Sequence, residues 1–171
     1  MTNYIIKIKP WIAFTISVVV LVMLDLWLKF WSVNNLQYNP PRILIYGLLG
    51  LRYYENTGMA FGLLSGHDWS AWVISAVKIA ALTALLLYYH KLPIGKKYWL
   101  IRIPLIMIFA GGVGNLYDRL TLGAVRDMFE FLFMNFAIFN LADVFIVLGA
   151  ISWTVFEVFV VKTYTEQETV I

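Results

Sequence analysis

Four long apolar stretches dominate this chain, at about 11–31, 69–89, 98–117 and 137–161. Each can cross a bilayer as a helix, which takes about 20 apolar residues. Pro10 opens the first and the largely polar run Ser32-Val33-Asn34-Asn35 follows it. Trp and Tyr stand at several of the ends (Trp11, Trp31, Trp69, Tyr89, Tyr98 and Tyr117), as interfacial aromatic belts require. The expected fold is therefore an all-α membrane protein with four transmembrane helices in a single domain, 1–171.

Composition agrees. Of 171 residues 61% are hydrophobic and 13% charged, where a soluble domain carries about 25% charged residues. This argues against a free-standing soluble enzyme, a disordered chain and a nucleic-acid-binding module. The net charge of +3 reads as loop lysines and arginines instead. No cysteine is present, so disulfides, thiolate metal sites, a Cys nucleophile and lipid attachment to Cys are excluded. Lys7 and Lys9 precede the first stretch as in a signal peptide. That stretch is too long for a signal-peptide core and lacks a small-residue cleavage site, so it reads as a retained anchor.

Charge sets the orientation. Lys7 and Lys9, and then Lys91, Lys96, Lys97 and Arg102, stand without acids. The other two connections mix signs. The positive-inside rule puts both termini and the middle connection in the cytoplasm. Residues 42–61, rich in Ile, Leu and Tyr and broken by Gly47, Gly50 and Gly58, read as short strands on the outer side. From Val125 to Phe131 polar and apolar residues nearly alternate. A strand there puts Val125, Asp127, Phe129 and Phe131 on one face.

Ionisable groups inside a membrane are costly, about 2.5–3.5 kcal/mol each at a helix centre. At 1.5 Å per residue, Asp25 lies about 21 Å along the first helix and Asn115 about 25 Å along the third. Asp143 lies about 9 Å below the outer end of the fourth. Three helices thus bring polar groups to one level near the outer leaflet, where Asp127 also falls. Gly111, Asn115 and Asp118 share a helix face, with Arg119 beside it; Asn140 and Asp143 are i, i+3. Asp25 and Lys29 form an acid-first i, i+4 pair.

Plainer readings stand beside these. Asp25 with Lys29 suits a simple ion pair, and Asp118 with Arg119 a pair holding a helix end. The glycines suit close packing, and Asn115 and Asn140 suit orientation or helix-to-helix bonding. Asp127 and Asp143 have no basic residue at helical spacing. Two carboxylates sharing one proton provide an acid and a base for water attack on an amide; spacing alone makes their meeting only geometrically possible. Ser75 and Lys78, i, i+3 in the second helix, are an alternative nucleophile and base. They lie at mid-span, far from the other polar groups. A proton or cation relay calls for acids at several depths rather than one level, and a scaffold has no need of two lone aspartates. His67 and His90 flank opposite ends of the second helix and cannot share a metal.

The run Glu55-Asn56-Thr57-Gly58-Met59-Ala60-Phe61-Gly62 resembles a motif of the lipoprotein signal peptidase (type II signal peptidase) family. Gly111-Gly112-Val113-Gly114-Asn115-Leu116-Tyr117-Asp118-Arg119-Leu120 resembles its glycine-rich third-helix motif. Gly123 to Asp127 and Phe139 to Asp143 resemble the two segments carrying its catalytic aspartates, and Asp25 with Lys29 matches as well. The resemblance covers essentially the whole chain. It implies a membrane aspartic endopeptidase that removes the signal peptide of prolipoproteins before a diacylglyceryl-modified Cys. It also implies a small extracytoplasmic β-cradle, a bacterial cytoplasmic (inner) membrane location and an active site near the outer leaflet. Asp127 and Asp143 would be the catalytic pair. Asn56, Gly58, Gly111, Asn115, Asp118, Arg119 and Asn140 would support or line the site, and Asp25 and Lys29 would order the first helix. Neither metal nor cofactor is implied; membrane lipid and globomycin-type inhibitors are the expected further partners, and nucleic acid is not. Three features depart from the family. Arg126 stands where a small or β-branched apolar residue is common, Glu130 where an Asp or other polar residue is common, and the interval from Asp127 to Asp143 is short, which suggests a trimmed outer loop.

Overall fold

The computed structural model describes residues 2–58 and 69–161. In order come α1 (Thr2–Leu36), β1 (Arg42–Ile45), β2 (Leu49–Asn56), α2 (Ser70–Lys91), α3 (Lys96–Leu122), β3 (Val125–Phe131) and α4 (Leu141–Val155). A π-helical turn, Phe156–Val161, continues α4. Among the described residues four helices are long and apolar enough to cross a membrane. Met59 to Gly62 of the first motif, and His67 and Asp68, lie outside the described residues.

The helices match the four apolar stretches, with ends that differ for identifiable reasons. Helix α1 runs straight through Pro10 and through the polar Ser32 to Asn35. Those residues satisfy the helix from within: Ser32 Oγ donates to the Lys29 carbonyl (2.8 Å), and Asn34 and Asn35 donate to carbonyls four residues back. Helix α3 passes Tyr117 and ends where Gly123 takes φ +74°, a left-handed cap whose N–H bonds the Arg119 carbonyl. Helix α4 starts at Leu141, not near 137. Asn140 caps it: its side chain accepts from the Asp143 N–H, and the Asp143 side chain accepts from the Asn140 N–H.

Helix α3 is the centre of the bundle, packing against α1, α2 and α4. A side chain at Gly111 would run into the Ala142 carbonyl, and one at Gly114 into the Asp25 carboxylate. These two glycines set how closely α4 and α1 approach. Away from the sheet the core is Phe14, Tyr89, Ile101, Leu105 and Ile106.

The three strands form an antiparallel sheet in the order β1-β2-β3. The expected strands in 42–61 are thus β1 and β2, and the alternating segment is β3. Strands β1 and β2 make a hairpin through Gly47, at φ +69°. Strand β3, arriving from the end of α3, pairs Val125 with Asn56 and Asp127 with Tyr54. A bulge between Leu51 and Tyr54 adjusts that register. Asn56 and Asp127 are thereby diagonal neighbours across the ladder.

Candidate active site

Beneath the sheet, the polar residues of α1, α3, β3 and α4 form one connected network. Lys29, fully buried, contacts three of them: its Nζ lies 2.8 Å from Asp25 Oδ2 and 3.6 Å from Asp118 Oδ2, and it donates to Asn115 Oδ1 at 2.9 Å. The pair is more than a surface salt bridge. Asp25 Oδ1 also accepts from the Ala142 N–H at 2.9 Å, tying the middle of α1 to the first turn of α4. A buried cation shared among oxygens on two helices fixes how those helices sit, because removing any member leaves a charge uncompensated.

Asp118 and Arg119 do not pair with each other. Asp118 is gripped by Arg126 through Nη2 (2.6 Å), Nε (3.1 Å) and the backbone N–H (3.0 Å). Burial works against the Arg126 charge, but the Asp118 hydrogen bonds and charge outweigh it and raise its pKa. The residue that departs from the family pattern is thus the clamp that fastens the start of β3 to α3. Arg119 Nη2 donates to the Gly58 carbonyl at 2.6 Å, which anchors the end of β2 to the same helix. Gly58 N–H in turn donates to Asn56 Oδ1 at 3.1 Å, so the Asn56 side chain is oriented by its own turn.

Asp127 and Asp143 meet across this frame. Asn140 links them: its Nδ2 donates to Asp127 Oδ1 at 2.6 Å, and its Oδ1 accepts from the Asp143 N–H at 2.9 Å. Asp127 Oδ2 accepts from Asn56 at 3.3 Å. Asp143 Oδ1 accepts from Asn115 at 2.8 Å, and its Oδ2 accepts from the Asn140 N–H at 3.1 Å. Each carboxylate is thus held by uncharged amides, with Lys29 and Arg119 kept for other partners. Asp127 is buried (2% exposed). Burial, and after it the charge of Asp143, push its carboxyl up to about 7, against the hydrogen bonds of Asn140 and Asn56 and the charge of Lys29. A carboxyl titrating there can carry or release a proton at neutral pH.

Both aspartates line a cavity of about 460 Å³, together with Asn56, Gly58, Asn115 and Arg119. The rest of its wall is mainly apolar, from Ile74 on α2, Val144 and Ile146 to Leu148 on α4, and Phe136 to Phe139. A second cavity, lined by Arg52 to Tyr54 and Asn135 to Ile138, shares Asn56, Phe136, Ala137 and Ile138 with the first. Of the expected site residues, Gly111, Asp118 and Asn140 support the frame without lining the cavity, as do Asp25 and Lys29. Ser75 does not pair with Lys78: its hydroxyl donates to the Ala71 carbonyl at 2.7 Å. Lys78 lines the cavity instead. Among the described residues no three His, Cys, Asp or Glu gather as metal ligands.

The sequence reading missed two parts of the site. One is the Arg126 grip on Asp118, across eight residues of turn and strand that no helical spacing reports. The other is the 136–139 wall, hidden because Ala137, Ile138 and Phe139 continue the apolar run of α4. The Asn140…Asp143 spacing was the available signal, since Asn three residues before an acid marks a helix start.

By class, this is a multi-pass membrane protein with a polar site set inside its helix bundle. Comparison with known proteins narrows the class. The family pattern described as "Signal peptidase (SPase) II" matches residues 17–159. A lipoprotein signal peptidase of Streptococcus thermophilus (strain CNRZ 1066) is 35% identical over 140 residues, covering 82% of this chain and 88% of that protein. One from Streptococcus pyogenes serotype M2 is 37% identical over 138 residues, covering 81% and 88%. A solved bacterial membrane enzyme superposes with a TM-score of 0.72 at 25% identity, over 82% of this chain and 84% of that one. The chain belongs to the signal peptidase II family, whose members are proteases.

Proposed function

We propose that this protein is an aspartic endopeptidase that removes the signal peptide of prolipoproteins, cutting before the diacylglyceryl-modified Cys. The observation that carries this reading is the pair Asp127 and Asp143 in one cavity, each held by amides and neither by a cation. The family membership supports the substrate class. The protein acts as one membrane-embedded unit, 1–171, with both termini in the cytoplasm, as the acid-free lysines at 7, 9, 91, 96 and 97 suggest. The sheet end then lies at the outer leaflet. The lipid anchor of the substrate partitions there, bringing the scissile bond to the depth of the aspartates. Globomycin-type inhibitors occupy the same cavity.

The mechanism needs one proton on the pair. Burial and the neighbouring charge favour that proton on Asp127. Asp143, ionised, takes a proton from water as its oxygen attacks the carbonyl carbon, while Asp127 donates its proton to the carbonyl oxygen. The tetrahedral intermediate collapses as the C–N bond breaks. The amine leaves with the proton that Asp143 took, Asp127 recovers its own, and the pair is reset. Asn140 and Asn115 keep both carboxyls oriented, Asn56 steadies Asp127, and Arg119 with Gly58 holds the strand that carries Asn56.

The test is cleavage of a diacylglyceryl-modified prolipoprotein by purified protein in lipid. Asp127→Asn and Asp143→Asn keep the shape and remove the exchangeable proton, so each is expected to cut at least about a thousandfold more slowly, a loss in line with general acid–base catalysis. Full activity in either variant overturns the pair.

A further inference from the structure

Lys78 is the charged group in the cavity that the steps above leave unused. It sits on the stripe of α2 that turns toward the bundle, one turn beyond the buried Ile74 and Ser75; its neighbours Val77 and Ile79 face outward. The lysine is therefore not placed to run its side chain up along lipid. It lines the same cavity as Asp127 and Asp143. Among the described residues its ammonium has neither a hydrogen-bond nor an ion-pair partner. The charges that act on it are Arg119 and Lys29, of like sign, and Asp143 and Asp127, of opposite sign. Leu82, one turn further along α2, meets Gly112 of α3, while Ala142 and Ile146 of α4 meet the adjacent Gly111. Lys78 therefore stands on the sheet side of that contact, at the level of the reacting groups and not beneath them.

An unused cation with three donors in that cavity calls for acceptors. A membrane-spanning peptide must unwind before water can attack one of its carbonyls, and unwinding leaves neighbouring carbonyls without helical partners. In apolar surroundings each such group is costly until a donor meets it. We propose that Lys78 is a substrate-binding residue whose ammonium donates hydrogen bonds to the backbone carbonyls of the unwound stretch beside the scissile bond. The proposal rests on the peptidase reading for the identity of the substrate.

The experiment uses the full chain in lipid nanodiscs with a synthetic diacylglyceryl-modified peptide spanning the cleavage site. Lys78→Met keeps the apolar stem without the charge, and Lys78→Arg keeps the charge. In Lys78→Met the KM is expected to rise about tenfold to a hundredfold, the range for one charge-assisted hydrogen bond. Its kcat should change far less, and the pH profile of kcat should stay in place. Lys78→Arg should recover part of the KM. Peptide Kd measured in the Asp143→Asn background should rise by a similar factor when Lys78→Met is added. Unchanged KM and Kd overturn the proposal. So does a displaced pH profile at unchanged KM, which would mean that the lysine acts through the aspartates. A parent that never cleaves would count against the peptidase reading, and the Kd comparison would still decide the role of the lysine.

Discussion

At the end of the bundle away from the sheet, Trp11, Phe14, Tyr89 and Phe109 pack ring against ring with centroids 4.6–5.6 Å apart. Few polar atoms lie there: Tyr89 Oη donates to the Pro10 carbonyl at 2.9 Å, and Arg102 lies 5.0 Å above the Tyr89 ring, with Nη2 donating to the Leu92 carbonyl and Nη1 buried without a hydrogen-bond partner. At the sheet end Asp25, Lys29, Asn115, Asp118, Asp127 and Asn140 are buried just as deeply, each at 3% exposure or less. Aromatic packing is favourable by itself, from area and ring geometry. A buried network of acids and amides is tolerated only when its members are connected, and its net contribution to stability is small or negative. One end of the molecule holds the bundle together. The other spends stability to hold a reactive pair in place.

Breaking each end should therefore give opposite results. Leu105→Ala, in the aromatic end, removes a fully buried side chain and is expected to destabilise by about 3 kcal/mol. Activity per folded molecule should stay near that of the parent, as judged by thermal unfolding in detergent and by cleavage below the transition. A parallel loss of activity would show that the two ends are not separable. Asn140→Ala should do the reverse. As a lost helix cap it costs about 1 kcal/mol, while activity drops about tenfold to a hundredfold because both carboxyls lose their link. It also removes a hydrogen bond that lowers the Asp127 pKa, so the alkaline limb of the pH–rate profile, near 7 in the parent, should move upward.

The smallest effect is a pH dependence of stability. Asp127 titrates at about 7 in the folded protein and about 3.9 when unfolded. The folded state binds the extra proton, so its contribution is complete below pH 4 and is lost as pH rises through 7. Asp127→Asn has no such loss. The Tm of that variant minus the Tm of the parent should grow more positive from pH 5 to pH 8; a flat or falling difference would falsify the raised pKa.

The same contrast explains what the sequence disclosed. Hydropathy located four helices because their outward faces are apolar along their whole length. It missed their ends, since Ser32, Asn34 and Asn35 bond within α1 rather than stopping it, and Asn140 starts α4 inside an apolar run. Depth along helices brought Asp25, Asn115 and Asp143 to one level, because rise per residue is fixed. Alternation marked β3 but could not name its partner strand. Pairing β3 with β2, and Arg126 with Asp118, depends on how a turn after Gly123 closes, and neither periodicity nor spacing carries that information.

The bulged register between β2 and β3 has a consequence for how this protein can vary. Side chains alternate between the two faces of a strand, so one residue added or lost between Gly123 and Asp127 would turn Asp127 away from the cavity and bring Arg126 or Met128 into its place. An exchange of one apolar side chain for another at Met128 is a matter of packing alone. In this short stretch chain length carries the chemical information, and a change too small to disturb any helix can silence the site.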